Sequence, residues 1–157
     1  MNGTSTPQKS HGVNRRNRVN RDLELIIIKN YIVSNKRERA EYELFRPKKR
    51  QNFIWDMDAK HYIDKDCVVS TINGVDSYEK VYQELVDRGF DETCYVLSLD
   101  ETYDSRIIDS KSALHGLVFN GPALLYSFNG ELAYFEGEPD LGNTTRVVLS
   151  KRLKSKL

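Results

Sequence analysis

The chain has 157 residues, 39% of them hydrophobic and 30% charged, with a formal net charge of +1. That length suits one domain with its own core and a well-charged surface. No apolar run approaches the roughly 18–20 residues of a membrane helix, the longest candidate being Leu25 to Ile28. The small total hides an asymmetry: residues 1–60 carry 14 Lys and Arg against 7 Asp and Glu, a balance of +7, and residues 61–157 a balance of −6. A basic N-terminal part implies either an anionic partner or attraction to the acidic remainder.

Residues 1–20 read as a flexible basic arm, polar throughout and without the basic-then-apolar layout of a signal peptide. Arg15, Arg16 and Arg18, with Arg21, would favour phosphates there. From Asn20, the expected N-cap, Leu23, Ile26, Ile27 and Tyr31 recur at helical spacing, with Asp22 and Glu24 in the first turn. A second helix is expected over residues 36–45, and Pro47 opens a third running to Met57. Cys67 to Ile72 reads as a strand. Tyr78, Val81, Tyr82, Leu85 and Val86 then trace the clearest helix, capped by Asp76 or Ser77 and stopped by Gly89. Thr93 to Leu99 is a second strand, Asp100 to Asp109 an acidic loop, Ser110 to His115 a short helix, and Leu117 to Phe119 a strand.

Pro122 to Gly137 has the signature of a β-hairpin. Asn129-Gly130 favours a type I′ turn with positive φ at both residues. The implied register sets Phe128 opposite Glu131, Tyr126 opposite Ala133 and Leu124 opposite Phe135. On the other face Ser127 meets Leu132, Leu125 meets Tyr134 and Ala123 meets Glu136. Both faces are largely apolar, which places the hairpin in the middle of a sheet rather than at the surface. Arg146 to Leu149 supplies a last strand and residues 151–157 a basic tail. The expectation is α+β: N-terminal helices packed on a small mixed or antiparallel sheet centred on the C-terminal hairpin, within one domain over residues 21–150. Cys67 and Cys94, both in apolar β-like stretches, are expected as two buried thiols in a reducing, cytoplasmic setting.

Three groups are candidates for chemistry. Arg46, Lys48, Lys49 and Arg50 lack an obvious local partner and have Tyr42, Phe45 and Phe53 interleaved, a composition that grips anions and stacks on bases. Arg37 and Arg39, by contrast, stand four residues before Glu41 and Glu43 and are absorbed by intrahelical pairs. Asp100 and Asp104 follow a strand end, where carboxylates can bind magnesium or act as acid and base. Glu136 faces an apolar side of the hairpin, so it is expected at the sheet's wet margin, or else paired with a cation from the helical part. The chain lacks a P-loop, Gly-x-Gly-x-x-Gly, Gly-x-Ser-x-Gly, Cys-x-x-Cys and His-Glu-x-x-His, so neither a cofactor nor a metal is expected.

Lys36-Arg37-Glu38-Arg39, Pro47-Lys48-Lys49-Arg50 and Leu132-Ala133-Tyr134-Phe135-Glu136-Gly137-Glu138 together resemble a pattern of small bacterial proteins with no assigned activity, over roughly residues 36–138. The resemblance implies a bacterial cytoplasmic setting and nothing about chemistry. The resulting expectation is a non-enzymatic binding or regulatory module of accessory or immunity type, acting on a protein partner. The alternatives are nucleic-acid binding through the basic segments and a small metal-dependent hydrolase or nuclease.

Overall fold

The computed structural model describes residues 19–139 and 144–151. The arm and the tail, with Arg15, Arg16 and Arg18, lie outside that range apart from residues 19, 20 and 151. Five α-helices and six strands are present among the described residues: α1 Arg21–Tyr31, α2 Arg37–Leu44, α3 Pro47–Ala59, β1 Val68–Thr71, α4 Tyr78–Asp87, β2 Thr93–Ser98, β3 Ile107–Asp109, α5 Ser110–Leu117, β4 Ala123–Ser127, β5 Leu132–Glu136 and β6 Arg146–Ser150. The strands form one sheet in the order β1-β6-β5-β4-β2-β3. Every pairing is antiparallel. The fold is α+β, and the β4–β5 hairpin lies at its centre.

Two-residue alternation in the central strands sorts the core into two layers. Tyr95, Leu97, Leu124, Tyr126, Ala133, Phe135, Val147 and Leu149 face the helices α1 to α3. Val96, Ala123, Leu125, Leu132, Tyr134 and Val148 face α4 and α5. A central strand apolar on both sides is what a sheet covered on both faces requires.

The hairpin register is as expected from Ala123↔Glu136 through Tyr126↔Ala133. Its turn is not. Only Gly130 has positive φ, at 82°. The Gly130 N–H donates to Ser127 O at 2.9 Å. The Asn129 carboxamide oxygen accepts from the Glu131 N–H at 3.0 Å and from the Ser127 hydroxyl at 3.1 Å. Asn129 thus spends its side chain closing the loop instead of adopting a left-handed backbone, and Phe128 lies exposed in the turn instead of facing Glu131.

Other differences have equally local causes. Asn20 caps α1 as expected, accepting from the Leu23 N–H at 3.0 Å. Ser77 precedes α4 without making a side-chain cap. The expected strand at Leu117 to Phe119 is instead the end of α5 and a turn, because Gly116 is helical and Phe119 takes φ +76°. Ile107–Asp109, read as part of an acidic loop, pairs with Thr93–Tyr95 as an edge strand. Cys67 and Cys94 are both buried and are not joined in a disulfide. Among the described residues no helix is long and apolar enough to cross a membrane.

Candidate functional site

α1 and α3 each carry one charge on an otherwise apolar stripe. On α1 the buried positions are Glu24, Ile27, Ile28 and Tyr31. On α3 they are Arg50, Phe53, Ile54 and Met57. Both sets follow the i, i+3, i+4, i+7 spacing of one helix face, so packing the stripe forces the charge inside. The two charges meet there. Arg50 donates to Glu24 through Nη1 and Nη2 at 2.8 and 2.6 Å, and to Asp104 through Nε and Nη2 at 2.8 and 3.1 Å. It also donates to Leu44 O at 3.2 Å and Ser105 Oγ at 3.1 Å. The Tyr95 hydroxyl donates to Glu24 at 2.5 Å, and the Ser98 N–H to Asp104 at 3.1 Å.

The planar guanidinium fork fits this double carboxylate clamp in a way that a lysine cannot. Burial alone would lower the Arg50 pKa, but the hydrogen bonds and charges of Glu24 and Asp104 outweigh it and hold the guanidinium above its ordinary value. Burial, then the charge of Glu24 and the hydrogen bond to it, raises the Tyr95 phenol. Arg50, expected as an uncommitted cation for an anionic partner, is therefore an internal one. Asp104, considered as an acid or metal ligand, is one of its two carboxylates.

Glu136 is also corrected. It is not at a wet margin and not paired with the helical part: its side chain is only 1% exposed, and it faces Arg146 across the β5–β6 ladder. Glu136 Oε1 accepts from Arg146 Nε at 3.0 Å and from the Tyr134 hydroxyl at 2.7 Å, and Oε2 accepts from the Phe119 N–H at 2.7 Å. Burial, reinforced by the neighbouring carboxylate, raises the Tyr134 phenol well above its usual value. Asp100 is exposed and shapes its own turn, accepting from the Thr102 N–H at 2.9 Å. The structure does not bring Asp100, Asp104 and Glu136 together as one site. Among the described residues no group of three or more His, Cys, Asp or Glu side chains is placed to hold a metal ion.

The outward counterpart of the Arg50 cluster is an open cleft of about 520 Å³ lined by Arg21, Glu38, Glu41, Tyr42, Phe45 and Arg46. Glu38, Glu41, Tyr42 and Phe45 form one stripe of α2 and its C-cap, and Arg21 comes from the start of α1. The Arg46 guanidinium carbon stands 3.7 Å from the centre of the Tyr42 ring, and that of Arg21 stands 4.3 Å from the centre of Phe45. Stacking fixes each guanidinium by its face and leaves N–H edges for an anion. Arg46 Nη1 donates to Tyr42 O at 3.0 Å, and Arg21 approaches Glu41 at 4.0 Å, the outer limit of an ion pair between exposed groups. Lys48 and Lys49 are exposed in the first turn of α3 and are not among the residues lining this cleft. Arg39 pairs with Glu43 at 3.3 Å as the spacing implied, whereas Arg37 donates to Ile32 O at 3.0 Å.

Cleft and cluster are mechanically joined. Glu24 lies one turn beyond Arg21, Leu44 immediately precedes Phe45, and Arg50 lies one turn beyond Arg46. A single buried guanidinium thus holds the three segments whose outward residues line the cleft.

Comparisons with protein-family models, with curated proteins and with solved structures returned no match.

Proposed function

We propose that the protein is a small non-enzymatic binding module of accessory or immunity type, acting by contact with another protein in a bacterial cytoplasm. The observation that carries this reading is the α1–α2 cleft, where Arg21 and Arg46 are held against Phe45 and Tyr42 and present their edges to solvent. Guanidinium and tyrosine groups supported by aromatic stacking are the side chains that dominate protein–protein contacts. Of the three carboxylates considered for catalysis, Asp104 and Glu136 are engaged with Arg50 and Arg146 and Asp100 shapes its own turn, which favours contact over hydrolysis as the mode of action. Arg50 is withdrawn from the basic surface that nucleic-acid binding would use, so that reading ranks second.

The test is affinity capture from the native host with wild-type protein beside an Arg21→Ala/Arg46→Ala variant. A specific protein retained by the wild type and lost by the variant supports contact through the cleft. Retention of no protein, or equal retention by both, contradicts it.

A further inference from the structure

The cleft is not a plain basic patch. Glu38 and Glu41 sit on the same stripe of α2 as Tyr42 and Phe45, so the lining holds two cations and two carboxylates. Any strand of closely spaced phosphates laid along it must bring negative charge against Glu38 and Glu41. Like charges brought together in this way work against binding, a common means of rejecting wrong partners. A protein segment has freer spacing: it can direct separate carboxylates to Arg21 and Arg46 and set an apolar side chain against the half-exposed Tyr42 ring.

Resting on the contact reading above, we propose that the cleft is built for a carboxylate-bearing, partly apolar protein segment, and that Glu38 and Glu41 are specificity residues that exclude polyanions such as nucleic acid. Arg21 and Arg46 supply the attraction, Tyr42 and Phe45 the apolar floor, and the two glutamates the discrimination. Glu38 and Glu41 are both exposed, and neither takes part in the Arg50 cluster, so neutralising them leaves the fold intact.

The experiment measures fluorescence anisotropy with two labelled probes, an acetylated and amidated peptide of repeated Glu-Leu-Leu-Glu and a twelve-residue single strand of thymidine DNA. Wild type, Glu38→Gln/Glu41→Gln and Arg21→Ala/Arg46→Ala proteins are compared at one salt concentration, with circular dichroism confirming that each is folded. The proposal requires the wild type to bind the peptide more tightly than the DNA. Loss of both arginines weakens the peptide at least fivefold, and loss of both glutamates tightens the DNA at least fivefold. If the wild type prefers DNA, or if the glutamate variant gains no DNA affinity while the peptide still depends on the arginines, the discrimination is overturned and the contact reading survives. If the peptide binds all three proteins equally, or none, the cleft is not the contact site and both fall.

Discussion

Replacing Arg50 with Met removes a guanidinium that makes six hydrogen bonds, to Glu24, Asp104, Ser105 and Leu44 O. The side chains of Glu24 and Asp104 are 0% exposed, so both buried carboxylates lose the Arg50 charge. Breaking a buried pair from one side typically costs about 3–5 kcal/mol. Against a total stability of about 5–15 kcal/mol for a domain of ordinary size, that is a large fraction, and it lowers the melting temperature by roughly 6–20 °C at about 2–4 °C per kcal/mol. Arg50→Lys falls between, because an ammonium keeps the charge but cannot bond both carboxylates in the same planar fork. The triple variant Glu24→Leu/Arg50→Met/Asp104→Leu regains only part of the loss. It removes the stranded charges but takes away the acceptors of the Tyr95 hydroxyl and the Ser98 N–H. Urea unfolding followed by far-ultraviolet circular dichroism measures all three. A loss below about 1 kcal/mol for Arg50→Met, at the scale of an exposed ion pair, would refute the assignment of Arg50 to the interior.

Glu136→Ala strands the Arg146 guanidinium, the Tyr134 hydroxyl and the Phe119 N–H together, and a destabilisation of about 3 kcal/mol is expected in the same assay; an effect under 1 kcal/mol would place Glu136 at a wet edge after all. Gly130→Ala forces a side chain to φ +82° in the central turn and should cost about 1 kcal/mol, checked by denaturant midpoint. Burial pushes the Cys94 thiol up from 9.0 to about 12. The folded state therefore keeps a proton that the unfolded chain releases. Its contribution is fully present below pH 9 and is lost as pH rises from there through about 12. Burial, then the hydrogen bond to Glu43, raises the Tyr62 phenol from 10.0 to about 12, so it acts over the overlapping range of pH 10 to 12. In a Cys67→Ala background, Cys94 should resist a thiol reagent at pH 9 and react once urea is added; modification of the folded protein at the unfolded rate contradicts this.

Much of the scaffold was legible because local and global preferences agree. Asn20 caps a helix whose apolar positions recur at the right period, and the hairpin faces follow from simple alternation around Asn129-Gly130. The sites were harder to read because one sequence pattern serves two physical situations. Arg46, Lys48, Lys49 and Arg50 form one basic run, yet only Arg50 stands at the head of the stripe Phe53, Ile54, Met57. Glu24 stands likewise ahead of Ile27, Ile28 and Tyr31. Those two phases were the available signal: a charge in register with an apolar face must be buried and must find an opposite charge. That the counter-ions are each other, joined by Asp104 from a loop 54 residues further on, depends on tertiary packing that periodicity does not encode. Glu136 was correctly set opposite Ala123, but its partner Arg146 comes from the strand on the other side, and hairpin register alone says nothing of that neighbour. The turn type failed because the dipeptide rule considers backbone φ and not the bonds that the Asn129 side chain makes.

One short basic segment divides its labour, with Arg50 inside and Arg46, joined by Arg21, outside. The direct measurement is a backbone amide chemical-shift titration of the wild-type protein with the Glu-Leu-Leu-Glu peptide. Shifts concentrated at residues 21 and 38–46 that saturate with peptide and vanish in the Arg21→Ala/Arg46→Ala variant are the expected result. Saturating shifts centred elsewhere, for example on Phe119 and the loop after α5, or shifts that persist in the variant, would contradict it.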